Sequence, residues 1–257
     1  MRILITSGGT KVPLDPARDI TNMSGGTFGS QIAHEALRLG HHVTFFCAER
    51  SESPFSVRFN FDKDRDWGVA IGRFAKWYNF CEDAKARYKE VKYRTYSDYL
   101  MGLREQMAHD APDVVVLAAA VSDFITDASE TKERSDQEMV IKLKPATKII
   151  DLVRGWHSDP DQLIMVGFKL MVKATVPTLT ETAWNMIRRC NCDMVVANDL
   201  TTLKAGKHEI YIVEPEPSQV GEIPKVSHYT FDLAQAVLQH ITSCEATRYG
   251  RLQTQTA

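Results

Sequence analysis

Residues 3–29 read ILITSGGTKVPLDPARDITNMSGGTFG, and this stretch sets what the rest of the chain has to build. Ile3, Leu4 and Ile5 form a short apolar run of the kind a buried strand carries. The run breaks at Ser7-Gly8-Gly9-Thr10, passes through Pro13, Asp15, Pro16 and Arg18, and reaches a second small-residue cluster, Ser24-Gly25-Gly26, where a helix opens. Segments without bulky side chains let backbone N–H groups approach an anion, and a helix N-terminus adds partial positive charge. A phosphate site is therefore expected. An apolar strand, a glycine loop and a helix also begin a dinucleotide-binding unit, so the stretch alone leaves the ligand open.

Working outward, Gln31–Leu39 carries an apolar stripe at Ile32, Ala33, Ala36 and Leu37, with Gly40 placed to end the helix, and His42–Cys47 returns as a second buried strand. This βαβ unit predicts an α/β fold: a Rossmann-like, mostly parallel sheet flanked by helices. Further strands are expected at 113–117, 163–168 and 193–199, with helices from Thr95 or Ser97 through Met107, over 147–153 and over 177–189. Met139–Leu143 alternates as a short strand presenting Lys142 and Lys144. Residues 210–213 and 226–229 predict a terminal antiparallel pair, followed by a helix with Leu233, Val237 and Ile241 inward. Residues 48–96 mix charged and aromatic side chains, with helical spacing only at Ile71, Phe74, Tyr78 and Cys81, and read as an insertion on the sheet edge, in a lid or at a dimer contact. Residues 245–257 read as a flexible tail, and no linker interrupts a single domain over 1–257.

Thirty-one Lys and Arg against 33 Asp and Glu leave a formal charge of −2, so no global field marks a nucleic-acid binder or an acidic-membrane binder. Any anion site must be local. No apolar run approaches the ~18 residues of a spanning helix, and a cytoplasmic protein is expected. The five cysteines, Cys47, Cys81, Cys190, Cys192 and Cys244, are scattered and odd in number, which suits reduced thiols. Cys190-Asn191-Cys192 lacks the usual zinc spacing and reads as helix-end packing.

Three segments fall just beyond predicted strands: Ala118-Ala-Ala120-Val-Ser-Asp123-Phe124, Gly167-Phe168-Lys169 and Ala197-Asn198-Asp199. In a parallel sheet those ends share one edge with the opening loop, which is where ligands of open α/β sheets bind. The alanines leave room for a flat ligand. Asp123 either accepts a hydrogen bond from a base or sugar or caps the next turn, and Phe168 either stacks a base or packs in the core. The polar segment 125–138 carries Lys132 and Arg134, as a solvated loop or a closing lid does. The expected site is for a nucleotide: phosphates on Gly8, Gly9, Ser24 and Gly25, and base and sugar among Ala118, Ala120, Asp123, Phe124, Phe168, Lys169 and Asn198.

The motifs ITSGGTKVPLDPARDITNMSGGTFG, LAAAVSDF, the Lys132 loop followed by MVIKLK, VGFK and VVANDL span residues 3–200 in one order. Together they resemble phosphopantothenate–cysteine ligase, in its stand-alone form with eukaryotic-like motifs. The resemblance implies that the carboxylate of 4′-phosphopantothenate attacks the α-phosphate of ATP or CTP, giving an acyl-nucleotidylate and pyrophosphate, and that the amine of L-cysteine then forms the amide of coenzyme A biosynthesis. It implies Mg²⁺ with the nucleotide, a homodimer, Asn22 on the substrate carboxyl and acyl intermediate, Asp123 and Phe168 at the nucleotide, and Lys132 as the catalytic loop lysine. Arg18 and Lys142 are the further cations expected at the substrate. Gly25 stands where the family usually has a second serine. Against a nicotinamide-dependent reductase, which Glu49 and the Tyr88-x-x-x-Lys92 spacing would suit, stands the long loop between Ser7 and Ser24. A nucleotide-binding module without catalysis would have no need of Asn22.

Overall fold

The computed structural model describes residues 1–56, 67–132, 136, 138–215 and 224–255, with the side chains of the last helix described as far as Thr247. Its centre is an eight-stranded sheet. In chain order the elements are β1 (Arg2–Ser7), β2 (Lys11–Asp15), β3 (Arg18–Thr21), α1 (Thr27–Arg38), β4 (His42–Ala48), α2 (Trp67–Ala84), β5 (Tyr88–Tyr93), α3 (Tyr96–Asp110), β6 (Val114–Leu117), β7 (Phe124–Ile125), β8 (Lys144–Pro145), α4 (Ile150–Val153), β9 (Ile164–Met171), α5 (Val176–Cys190), β10 (Met194–Asp199), α6 (Leu200–Lys204), β11 (Ile210–Pro215), β12 (Pro224–Tyr229) and α7 (Leu233–Gln255). The main sheet runs β12-β11-β10-β9-β6-β1-β4-β5. Strands β5 to β10 of that order are parallel, and β11 and β12 add an antiparallel pair at one edge.

The apolar runs of β1, β6, β9 and β10 are covered on both faces, as parallel strands require. One face packs Ile3, Ile5, Val114 and Val116 against Ile32, Ala33, Ala36 and Leu37 of α1 and Val237 and Ile241 of α7. The other packs Leu4, Val115, Met165 and Val195 against Tyr99, Leu103 and Met107 of α3, Val153 of α4, and Leu179, Ala183 and Ile187 of α5. Each of the buried Val, Leu, Ile and Met side chains among these contributes on the order of 1.5–3 kcal/mol by leaving water. Helix α3 starts where the sequence predicts: Thr95 accepts from the Asp98 N–H, and Asp98 accepts from the Thr95 N–H.

Three expectations change and two gain detail. The long loop after β1 is a hairpin, β2–β3, closed at its turn by Asp15, which accepts from the Ala17 N–H and pairs with Arg18. The segment 48–96, read as an insertion, supplies helix α2 and the parallel edge strand β5. Charged residues fit β5 because an edge strand faces solvent on one side. Within α2 the spaced residues Ile71, Phe74 and Tyr78 are exposed, while Ala70 and Ala84 are buried and Trp77 donates to the Phe55 carbonyl at 3.0 Å. The strand expected at 139–143 is absent: only Lys144 and Pro145 pair, with Ile125 and Phe124. Finally, the segment from 245 to 255, read as part of a tail, is helical as the end of α7.

Candidate active site

The parallel register brings the carboxyl ends of β1, β6, β9 and β10 to one edge. There β1 and β6 continue to zip past their last formal pairs. Ala120 N–H donates to the Gly8 carbonyl at 2.8 Å, and Thr10 N–H donates to the Ala120 carbonyl at 3.1 Å. Buried threonine hydroxyls extend the seam, Thr6 Oγ1 accepting from Ala119 N–H at 3.1 Å and Thr10 Oγ1 from Ser122 N–H at 2.8 Å. The Tyr93 hydroxyl donates to the Ser7 carbonyl at 2.7 Å, and burial pushes its pKa up, so it remains a protonated donor.

The hairpin delivers Asn22 to this seam. Its Nδ2 donates to the Ala120 carbonyl at 2.7 Å, which fixes the carboxamide between the first glycine loop and the alanine-rich strand end. The glycines explain why Asn22 comes so close. A Cβ on Gly9 would stand 2.9 Å from the Asn22 carbonyl oxygen, and Gly8, at φ +85°, would place one 2.7 Å from the Ala48 Cβ. Gly8 and Gly9 thus admit protein chain. Gly26, the N-cap of α1 at φ +76°, admits the Ser7 and Ser51 hydroxyls. Gly25 differs, because a Cβ there would meet only Thr27 Oγ1, at 3.9 Å.

Two hollows open near these strand ends, and Asn22 lines the first. One, of about 300 Å³, lies between the hairpin and the end of β4 and is lined by Asn22, Met23, Ser24, Gly25, Lys11, Arg50 and Arg94 among others. The other, of about 220 Å³, is lined by Ala119, Ser122, Asp123, Phe168 and Lys169, together with Lys148 and Arg189. Phe168 meets Phe28 of α1 edge-on, with centroids 5.6 Å apart, so it is a half-buried wall and not a free stacking platform. Asp123 is exposed and pairs with Lys148, a cation that strand-end reasoning missed because it follows β8 on a separate loop. The Lys-Ile-Ile of 148–150, leading into α4, was its only available signal. A larger hollow, about 650 Å³, lies between α1, residues 52–56 and the start of α7, away from these strand ends.

The remaining expected residues scatter around this edge. Ala118 packs under the sheet, and Phe124 is exposed in β7. Asn198 is half-buried at the end of β10. Beside it, Asp199 accepts from the Ala174 and Thr201 N–H groups at 2.9 and 2.7 Å, and these bonds hold its carboxyl below the usual carboxylate range. Arg18 is engaged by Asp15. Lys142 is exposed on an extended segment whose carbonyl accepts from the Thr126 hydroxyl. Lys132 is exposed on a loop that touches the hairpin where Ser129 N–H donates to the Leu14 carbonyl at 2.8 Å; Arg134 lies outside the described residues. Cys190 donates to Asp151 at 3.0 Å and Cys192 is buried, so both pack around the end of α5.

The reductase features do not assemble. Tyr88 and Lys92 lie on strand β5, where four residues span ~13 Å, and burial and Glu90 push the Tyr88 phenol up, away from a base's range. Glu49 pairs with Lys11 at 3.6 Å.

The family described as DNA/pantothenate metabolism flavoprotein C-terminal domain matches residues 1–60 and 86–244, omitting α2. A bifunctional coenzyme A biosynthesis protein CoaBC of Thermococcus kodakarensis is 31% identical over 213 residues, 82% of this chain and 44% of that protein. A phosphopantothenate–cysteine ligase of Mus musculus is 29% identical over 79% of this chain and 73% of its own length. The chain spans about half the length of the CoaBC proteins it matches. In fold it resembles a Cab2 variant in complex with phosphopantothenate-cysteine (TM-score 0.78, 23% identity, 98% of this chain and 88% of the other). It also resembles a DNA/pantothenate metabolism flavoprotein from Streptococcus pneumoniae (TM-score 0.70, 22% identity, 95% and 99%). With 219 of its 257 residues matched in two blocks that carry the hairpin, the alanine-rich strand end and Phe168, this chain belongs to the DNA/pantothenate metabolism flavoprotein C-terminal domain family.

Proposed function

We propose that the chain is a phosphopantothenate–cysteine ligase that activates 4′-phosphopantothenate with a nucleoside triphosphate and transfers the acyl group to L-cysteine. The observation that carries this reading is Asn22, held by its 2.7 Å bond to Ala120 on the wall of the hollow between the hairpin and β4. Nucleotide binding alone has no use for a carboxamide there. Relatives from mouse, human and yeast bear the ligase name.

In this reading the substrate carboxylate attacks the α-phosphorus and pyrophosphate leaves. The cysteine amine then attacks the acyl carbonyl and expels the nucleoside monophosphate. Asn22 donates to the acyl oxygen without itself competing as a nucleophile, and fixed donors of this kind favour the charge that develops in the transition state. Ser24 and Gly25 face the phosphates across open space, Asp123 and Lys148 face the nucleotide sugar and phosphate, and Lys132 reaches in from its loop. Arg18 and Lys142 contribute positive charge around the substrate. Mg²⁺ supplies charge neutralisation when bound. Among the described residues no group of three or more His, Cys, Asp or Glu side chains is placed to hold a metal, so the ion would be carried by the nucleotide phosphates, as Mg²⁺ commonly is.

Among the described residues no helix is long and apolar enough to cross a membrane. A cytoplasmic homodimer using ATP or CTP completes the proposal. Pyrophosphate release should require phosphopantothenate and rise with cysteine, with product confirmed by mass, in parallel reactions with ATP and CTP. Protein that binds a nucleotide but releases no pyrophosphate with either would be a binding module and not this enzyme.

A further inference from the structure

The hollow between the hairpin and β4 carries more positive charge than the acyl-transfer chemistry uses. Three cations line it, Lys11, Arg50 and Arg94, against one lining carboxylate, Glu49. Two of the three are already engaged. Lys11 lies 3.7 Å from Asp19 and 3.6 Å from Glu49, and Arg94 donates to both Asp19 oxygens at 3.3 and 3.0 Å. Arg50 is exposed and makes no hydrogen bond or ion pair among the described residues.

Its backbone is nevertheless pinned on both sides. Glu49 N–H donates to the Tyr93 carbonyl at 3.1 Å, Ser51 N–H to the Ala48 carbonyl at 2.9 Å and Glu52 N–H to the Gly25 carbonyl at 2.9 Å. The Ser51 and Ser7 hydroxyls bond at 3.0 Å, and Ser7 donates to the Gly26 carbonyl at 2.9 Å. The segment bearing Arg50 is thereby tied to the loop bearing Ser24 and Gly25, at the end of a core strand. A long cation with a free head on a fixed base, sharing a hollow with Asn22, is suited to meet an anion that arrives with the substrate.

We propose that Arg50, backed by Lys11 and Arg94, forms a phosphoryl subsite in which a guanidinium receives a phosphate group carried by one of the reactants. This rests on the ligase reading for its ligands. Two reactants carry such a group: the terminal phosphate of phosphopantothenate and the outer phosphates of the nucleotide. The subsite selects against a substrate lacking that group, which makes Arg50 a specificity residue, distinct from the acyl-transfer group Asn22.

The test is calorimetric binding of 4′-phosphopantothenate, pantothenate and inorganic pyrophosphate to the intact protein and to Arg50→Gln and Arg50→Lys, with thermal unfolding as a folding control. Arg50→Gln should weaken one phosphorylated ligand at least about tenfold, a loss of ~1.4 kcal/mol, leave pantothenate binding unchanged and keep the unfolding midpoint. Arg50→Lys should recover part of the affinity. Loss for phosphopantothenate assigns the substrate phosphate, and loss for pyrophosphate assigns the nucleotide tail. Equal binding of both phosphorylated ligands by wild type and Arg50→Gln overturns the subsite. Wild-type protein that binds phosphopantothenate through Arg50 yet forms no amide would remove the ligase reading and leave the subsite standing.

Discussion

Replacing Asn22 by aspartate changes one atom of the side chain and reverses its role. In the native structure Nδ2 donates to the Ala120 carbonyl at 2.7 Å, and the same carbonyl accepts from the Thr10 N–H at 3.1 Å. Asn22→Asp sets a carboxylate oxygen against that carbonyl. The lost bond costs ~0.5–1.5 kcal/mol and the facing oxygens add to it, while Thr10 keeps the carbonyl satisfied, so the total stays near ~1–3 kcal/mol. For a chain of this size that lowers the unfolding midpoint by roughly 2–4 °C per kcal/mol, and the protein remains folded. The effect on turnover is larger. Two carboxylates ~4 Å apart at an effective dielectric near 20 repel by ~4 kcal/mol, close to a thousandfold in rate. Asn22→Ala removes the donor without adding charge and should lose on the order of 100-fold, at the low end of what deleting a transition-state donor costs. Pyrophosphate release, product mass and thermal unfolding measured on both variants separate these effects. Turnover of Asn22→Asp within threefold of wild type, or no worse than that of Asn22→Ala, refutes the placement of Asn22 at the reacting carboxyl.

The two glycines before α1 should respond oppositely. Gly26→Ala forces a side chain into φ +76° and 2.0 Å from the Ser51 hydroxyl, so chemical denaturation should show a loss of more than ~1–2 kcal/mol. Gly25→Ser enters open space and should stay within ~0.5 kcal/mol of wild type in the same titration. Asp199→Ala removes the acceptor for Ala174 and Thr201 N–H, and the variant should be less stable than wild type at neutral pH. Because the folded carboxyl has a lowered pKa, its contribution is present above the unfolded value of ~3.9 and is lost as pH falls through the folded value. The gap between the two denaturation curves should therefore close in acid; a gap independent of pH contradicts the assignment.

The parts of the fold legible in the chain were those where a local pattern had one physical outcome. Val114–Leu117 is an unbroken apolar run and Met194–Asp199 one that ends in polar groups, and short β-branched runs of this kind suit a strand covered on both faces. A capping residue at Thr95 or Ser97 announces a helix start, and the structure selects Thr95. Strand β5 was not legible, because its residues, Tyr88–Tyr93, alternate too weakly and acquire strand geometry by pairing with β4. Residues 139–143 erred the other way: an alternating pattern without a partner strand is not a strand. In α2 helical spacing was visible, but which side turns inward depends on Phe55 and α1, far away in sequence.

For the site, the order of motifs in the chain puts Asn22, Asp123 and Phe168 on the carboxyl edge of one sheet, since parallel strands leave their carboxyl ends together. Tertiary structure alone decided what surrounds each of them. At Gly8 and Gly9, which the chain presents as a phosphate cradle, the place of a Cβ is taken by Ala48 and the Asn22 backbone. Lys148 reaches Asp123 across 25 residues, and Arg50 turns into a hollow made by a hairpin the chain reads as a loop. A glycine reports that something must come close, but backbone permissiveness does not name the neighbour. Whether that neighbour is a ligand or the protein's own chain is settled by which segments the sheet brings together.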